Sequence, residues 1–249
     1  MQVNLIFGDC LEVLPHIETG AASLCLFDPP YGATRNEWDK PLDWGRLWKQ
    51  LQRVVKPDGA IVIFCQGQFF VDLVNSRPKG YKWYDLVWDK VLVTGFLNAN
   101  RMPMRRHEQV VVFYKKAPTY NPQFTEGHPS HSRGRAYKTK DIKNQNYGKY
   151  NPPDDSNAGS TRKYPTSIIT IQKPHASVAA HATAKPAELM AYLIRTYSNK
   201  GETVLDCCMG SGVVGVAALQ QCRGYIGLEK NKGYFDIAQE RIEKERQKG

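Results

Sequence analysis

The sequence predicts an α/β fold: a mainly parallel sheet with helices on both faces, plus a loop-rich basic insert. Short apolar runs alternate with helix-spaced stretches over most of the chain, the rhythm of strands joined by helical crossovers. Proline and glycine punctuate that rhythm where a helix must give way to a strand, as at Lys56-Pro57-Asp58-Gly59. The rhythm lapses over residues 115–175 and resumes from Ala182.

Taken in order, strands are expected at Val3–Phe7, Ser23–Phe27, Ala60–Cys65, Trp83–Trp88 and Gln109–Tyr114. Between them, Trp44–Val55 carries Leu47, Trp48, Leu51, Val54 and Val55 at helical spacing. Past the lapse, Pro186–Tyr197 reads as a helix, Thr203–Cys207 as a strand and Gly212–Gln220 as a helix. Tyr225–Glu229 then reads as a strand and Tyr234–Glu245 as a closing amphipathic helix. The main domain is therefore expected at 1–114 and 176–249, with the insert at 115–175; no internal repeat is visible.

A chain of 249 residues with 41% apolar and 11% aromatic content is long enough to bury a substantial core. No apolar run reaches the roughly 20 residues of a membrane helix, and mean hydropathy is −0.50. The start, Met1-Gln2-Val3-Asn4-Leu5, lacks a basic region followed by an apolar one. A soluble, cytoplasmic protein is expected. Cys10, Cys25, Cys65, Cys207, Cys208 and Cys222 include no Cys-x-x-Cys pair, so no metal site is expected and they read as small buried hydrophobes.

The net charge of +10 is concentrated. Residues 101–175 hold 14 lysines and arginines against five acids, which accounts for nine of the ten charges. Tyr120, Tyr137, Tyr147, Tyr150 and Tyr164 are interleaved with them. That mixture suits a surface that grips phosphates and stacks on bases; a plain linker is the blander alternative. The expected nucleic-acid contacts are Arg133, Arg135, Lys138, Lys140, Lys143, Lys149, Arg162 and Lys163.

Two segments carry the chemistry. Thr203–Asp206 runs through Cys207, Cys208 and Met209 into Gly210-Ser211-Gly212, a small-residue turn that lets a ligand approach the backbone. It lies at a strand's carboxyl end, where open α/β sheets bind ligands. Asp206 can accept from an ammonium group, and Glu229, ending the next strand, can bind the two hydroxyls of a ribose. Gly215 completes a formal dinucleotide fingerprint, so a nicotinamide-linked oxidoreductase fits this segment equally well. The other segment, Asp28-Pro29-Pro30-Tyr31, follows the strand Ser23–Phe27 directly. Its prolines remove two N–H donors, leaving carbonyls and the Asp28 carboxylate as acceptors beside an aromatic ring. An exocyclic amine needs that combination.

Here the sequence resembles a known family. Asp28-Pro29-Pro30-Tyr31 is similar to the catalytic motif of amino-group DNA methyltransferases, and Asp206–Gly212 to their cofactor motif. His181-Ala182-Thr183-Ala184-Lys185-Pro186 resembles the segment preceding that motif. Gly8-Asp9-Cys10, Trp88-Asp89-Lys90 and Arg106-His107-Glu108 also resemble family landmarks. The order, catalytic motif before cofactor motif, matches the beta group, a circular permutation of the Rossmann-like class I methyltransferase fold. In the family, a variable target-recognition region fills the slot of 115–175.

The resemblance implies S-adenosylmethionine as cofactor and double-stranded DNA as partner; dimers are common in the family, though no interface is legible. It implies catalytic roles for Asp28, Pro29, Pro30 and Tyr31. It implies cofactor contacts from Asp9, Cys10, Asp28, His181, Thr183, Lys185, Asp206, Cys208, Gly210, Ser211, Gly212 and Glu229. Asp9 would bind the adenine amine, Glu229 the ribose, and Asp206, Thr183 and Lys185 the methionine end. The chain departs from the family at Cys207 and Cys208, where proline and phenylalanine are usual, at Val213 and Val214 for threonines, and at Ala182 for proline. The expected reaction is methyl transfer to adenine N6 of an extruded nucleotide. An Asp at the head of the motif leans towards adenine, since cytosine enzymes of the family more often begin it with Ser. N4-cytosine methylation and a silent DNA-binding subunit are the rivals.

Overall fold

The computed structural model describes residues 2–32, 40–131, 157–173 and 185–248, with 143–144 and 148–149 described by backbone alone. By internal contacts the chain divides into a large unit, 1–121 with 166–249, and a small one, 122–165.

The large unit is built on an eight-stranded sheet. In chain order its strands are β1 (Val3–Phe7), β2 (Ala22–Phe27), β3 (Val55–Cys65), β4 (Lys82–Thr94) and β5 (Arg105–Tyr114), then β10 (Ile168–Thr170), β11 (Thr203–Asp206) and β12 (Gly224–Glu229). Across the sheet they lie β1-β12-β11-β2-β3-β5-β4-β10. Every neighbouring pair is parallel except the two made by β5. The mainly parallel reading therefore holds, with one reversed strand. All six residues of β2 are buried, as expected of a central strand covered on both sides.

Alternating side chains of the sheet feed two cores. Leu24, Leu26, Val62, Phe64 and Val112 face α4 (Ala187–Tyr197), α5 (Val213–Gln220) and α6 (Lys232–Arg246). Cys25, Phe27, Ile63, Val111 and Phe113 face α2 (Trp44–Val54) and α3 (Gly67–Ser76). α1 is a single turn, Cys10–Val13, capped by Asp9. The sequence reading missed α3, although Phe69, Phe70, Leu73 and Val74 have helical spacing. It also missed β10, which pairs with β4 through Ile168–Val87 and Ile169–Trp88. Residues 166–173, assigned to the insert from sequence, thus extend the main sheet. Their backbone ladder and the burial of Ile169 decide the matter, not their composition. No described helix is long and apolar enough to cross a membrane.

The small unit contains β6 (Thr125–Glu126) paired with β9 (Arg162–Lys163), and β7 (Lys143–Asn144) paired with β8 (Gly148–Lys149). The Arg162 guanidinium lies 3.4 Å from the centroid of Phe124. Lys163 donates to Ser130 at 2.7 Å.

Close packing in the C-terminal half explains the formal dinucleotide fingerprint. A Cβ on Gly215 would stand 2.5 Å from Ile242 and 2.7 Å from the Tyr225 ring, so α5 meets the sheet where only glycine fits. Gly227, on β12, is as crowded: a Cβ there would meet Met209 Sδ at 2.5 Å and Tyr225 at 2.6 Å. Gly227→Ala should therefore destabilise the protein by about 1–3 kcal/mol through overpacking. The shift would be read in the urea midpoint at unchanged slope, and an unaltered midpoint would refute the crowding.

Candidate active site

The permuted topology brings chemistry from distant segments to one edge of the sheet. β11 ends in Asp206 and β12 in Glu229, while β2 leads into Asp28 and β1 into Gly8-Asp9. Because β5 runs the other way, its first half reaches the same edge, and Glu108 lies opposite Trp88 of β4. A cavity of about 550 Å³ opens there, within the usual range for small-molecule sites. Asp9, Cys10, Asp28, Pro29, Pro30, Tyr31, Lys185, Asp206, Cys208, Gly210, Ser211 and Glu229 all line it. Gly212 stands just behind, capping α5 at φ 80°. His181 and Thr183 lie outside the described residues, as do Arg133, Arg135, Lys138 and Lys140. Lys143 and Lys149 face each other across β7–β8, described by backbone alone.

One half of the cavity is a chain of opposite charges. The Tyr31 hydroxyl donates to Asp28 Oδ1 at 2.7 Å, and Lys185 Nζ donates to Asp28 Oδ2 at 2.6 Å. Lys185 also sits 3.2 Å from Glu108 Oε2, and Glu108 Oε1 is 3.3 Å from Lys90 Nζ. Both lysines are buried. Burial works against the Lys185 ammonium, but Asp28 and Glu108 outweigh it and raise its pKa above the lysine norm. Burial likewise works against the Glu108 carboxylate, and Lys185 and Lys90 outweigh that, holding its pKa below normal. Burial, and next the charge of Asp28, pushes the Tyr31 phenol well up, so it stays a donor. Its ring stacks on Phe69 at 5.0 Å and 21°.

The other half is built differently. The Glu229 carboxylate is pinned by backbone donors, Gly210 N–H on Oε2 and Asn231 N–H on Oε1, each at 2.8 Å. Asp206 accepts from Cys208 N–H at 3.1 Å and from the Tyr225 hydroxyl at 3.0 Å. Those donors favour its charged form, yet complete burial dominates and raises its pKa to about 7. Gly210, at φ 52°, has nothing within 4 Å of where a Cβ would stand, so the turn leaves open space. Asp9 Oδ1 accepts from Leu11 N–H at 2.9 Å while capping α1. The Ser211 carbonyl and hydroxyl both accept from Arg241.

The thiols are inert. Contact with Cys25 and burial push the Cys207 pKa well up; contact with Cys10 and burial do the same for Cys208. Burial pushes Cys65 up to about 12. Cys10, Cys25, Cys65 and Cys207 are buried and Cys208 is half-buried. Cys222 departs from the buried reading: it is exposed, in the turn between α5 and β12, with φ 62°.

Sequence reasoning did not list Lys90, Glu108, Phe69, Lys173 or Tyr225 among the site residues. Lys90 and Glu108 were legible as landmark residues, but the ion pair between them appears only when β4 and β5 are placed side by side. Phe69 and Tyr225 had no signal beyond apolar spacing.

Asp206 yields a pH test. Titrating near 7 when folded and near 4 when unfolded, it makes a contribution to stability that grows as pH falls from 7 to 4 and is flat above 7. Asp206→Asn should flatten the pH dependence of urea unfolding of the ligand-free protein by up to about 1.4 kcal/mol per pH unit between pH 5 and 7. A slope equal to the parent's would contradict the burial argument.

Known proteins are similar to this chain in sequence and fold. The DNA methylase family model matches residues 22–240. Type II methyltransferase M.HpaI of Haemophilus parainfluenzae is 23% identical over 254 residues, spanning 98% of this chain and 76% of that one. Type II methyltransferase M1.MboII of Moraxella bovis is 24% identical over 254 residues, spanning 96% of each. Among solved structures, the M1.HpyAVI–SAM complex superposes with a TM-score of 0.62 at 20% identity, covering 97% of this chain and all of that one. The cytosine-N4-specific PvuII DNA methyltransferase superposes at 0.67 with 16% identity, covering 99% of this chain and 91% of that one. With a family match across most of its length and the catalytic and cofactor motifs lining one cavity, the chain belongs to the N6/N4 DNA methylase family.

Proposed function

We propose that this enzyme methylates adenine at N6 in double-stranded DNA, and the observation that carries the reading is the Asp28 carboxylate fixed in the cavity by Tyr31 and Lys185. The methyl donor is S-adenosylmethionine, which supplies an electrophilic sulfonium methyl when bound. The cavity's donor set suits it. Asp206 is a buried carboxylate awaiting a cation such as the amino-acid ammonium. Glu229 keeps lone pairs for a diol after its two backbone bonds. The open space over Gly210 leaves the turn free for close approach.

Asp28 accepts a hydrogen bond from one N–H of the exocyclic amine and the Pro29 carbonyl accepts from the other. Acceptors on both hydrogens draw the nitrogen lone pair out of the ring and stabilise the positive charge that grows on nitrogen. Once the methyl group has left the sulfonium for nitrogen, the one surplus proton departs from nitrogen by way of the Asp28 carboxylate to solvent. Tyr31, backed by Phe69, gives the extruded base a stacking face. Lys185 orients Asp28 through its 2.6 Å hydrogen bond, a role apart from the methionine contact that the resemblance implies for it. No cysteine nucleophile takes part, in keeping with the raised pKa values of Cys207 and Cys208, which line the cavity. The lean to adenine rests on Asp, not Ser, at the head of the motif. In the small unit, the basic residues of 133–163 grip DNA phosphates.

Asp28→Ala should lower methylation more than about a hundredfold with S-adenosylmethionine affinity nearly unchanged by calorimetry; loss of affinity instead would reassign Asp28 to the cofactor. Mass spectrometry of nucleosides from unmethylated genomic DNA treated with enzyme and cofactor should find N6-methyladenine. N4-methylcytosine there would keep the mechanism and change the base. Replacing Arg133, Arg135, Lys138 and Lys140 by glutamine should weaken DNA binding and flatten its logarithmic salt slope by up to about 4. An unaltered slope would remove these residues from the DNA interface.

A further inference from the structure

The β4–β5 hairpin is built unlike the rest of the sheet. Its base lines the cavity through Lys90 and Thr94, with Lys90 Nζ donating to Thr94 Oγ1 at 3.3 Å and that hydroxyl donating to the Arg105 carbonyl at 3.1 Å. Beyond the base the side chains turn outward. Phe96 is 80% exposed and Leu97 96% exposed, and Met102 and Met104 are exposed beside them. The ladder is irregular between Asp89 and Thr94. Val91 holds φ 64°, a left-handed conformation that strains a β-branched residue. Its N–H donates to Asp89 Oδ1 at 2.9 Å, and Arg106 grips both oxygens of the same carboxylate at 2.7 and 2.9 Å. The bend is thus clamped, as bulges that re-aim a hairpin beside a site are.

We infer that the tip of this hairpin is a DNA wedge: Phe96 and Leu97 enter the base stack beside the extruded nucleotide, while Arg101 and Arg105 meet flanking phosphates. The inference rests on DNA being the substrate. Three observations select this occupant. The first is chemical, since phenylalanine, leucine, methionine and proline, the side chains other proteins use to wedge base steps apart, make up Phe96-Leu97 and Met102-Pro103-Met104. Charge is the second: residues 94–105 at the tip hold Arg101 and Arg105 and no acid, while Lys90 and Arg106 at the base are paired with Glu108 and Asp89. A second copy docked tip to tip would set the tip arginines against themselves, whereas a polyanion is complementary to them. The third is continuity, because the hairpin springs from the rim of the cavity that holds Asp28. Extruding a base leaves a gap in the duplex and costs a few kcal/mol. An apolar pair that fills the gap offsets that cost, which also accounts for leaving two large apolar side chains in water.

The test uses duplex oligonucleotides carrying the enzyme's mapped site, in one form fully paired and in another with the target base opposite an abasic position. Phe96→Ser combined with Leu97→Ser should lower kcat/KM on the paired duplex by about tenfold to a hundredfold. The defect should shrink to less than about threefold when the target is already unpaired. Arg101→Gln combined with Arg105→Gln should flatten the logarithmic salt slope of binding by up to about 2. Thermal melts and S-adenosylmethionine titrations check that the variants fold. Equal defects on both duplexes, or none on either, would overturn the wedge. So would serine variants that methylate normally but sediment as a smaller species than the parent, since the tip would then be a self-interface. A parent enzyme that methylates no DNA would instead strike the proposed function, a separate result from any variant's behaviour.

Discussion

Opposite charges held nearly out of water at one edge of the sheet constrain the rest of the site. Lys90 and Lys185 are buried, and each faces a carboxylate, Glu108 being shared between them and Asp28 completing the chain. Taking an isolated ion from water costs several kcal/mol, and pairing repays it only where the geometry is close. Four segments must therefore meet: the exit of β2, the outer part of β4, the start of β5 and Lys185, two residues before α4. Reversal of β5 makes the meeting feasible, because a parallel strand in that place would carry its early residues to the opposite edge. The contacts from Tyr31 and Lys185 give the Asp28 carboxyl group a defined orientation.

The cofactor side solves the same problem by other means. Glu229 accepts from two backbone N–H groups, one on each carboxyl oxygen, which fixes its orientation. Asp206 is buried more deeply than its donors can offset, and its affinity for a proton is raised to match. A carboxylate in that state is stabilised as an anion when a cation comes alongside. The two acids are thus tuned to different partners by burial and backbone geometry, although both stand at the ends of neighbouring strands.

Much of this was legible in the sequence, and the parts that were not share a cause. Strand and helix positions followed from apolar spacing, with β1, β2, α2 and α4 within a residue or so of expectation. Asp28, Asp206 and Glu229 were legible because each closes an apolar strand just before a turn. Lys185 was placed by resemblance among the cofactor contacts, whereas its ammonium is engaged by Asp28, 157 residues away. Spacing along the chain carries no information about such a pairing. The same holds for Glu108 with Lys90, and for Phe69 behind Tyr31. β10 was passed over although Ile168-Ile169-Thr170-Ile171 is a β-branched run, because it is short and ends a long stretch without apolar periodicity. Val91, Leu92 and Val93 mislead in the opposite direction: they look like strand interior and lie largely in water.

The glycine turn shows why no single motif decides the function. Gly210-Ser211-Gly212 with Gly215 satisfies a dinucleotide pattern, and the structure explains each glycine without a dinucleotide. Gly210 and Gly212 adopt left-handed backbone, and Gly215 lets α5 close on Tyr225 and Ile242. What separates a methyl donor from a hydride carrier is the neighbouring half of the cavity. A rigid acceptor set at Asp28-Pro29, backed by the Tyr31 ring, shares one volume with the Asp206 and Glu229 carboxylates. An amine can be held there beside the donor with both its hydrogens engaged. Direct transfer asks for that proximity and for acceptors where positive charge develops. Burial and contact with neighbouring thiols raise the pKa of Cys207 and Cys208, so neither provides an alternative nucleophile.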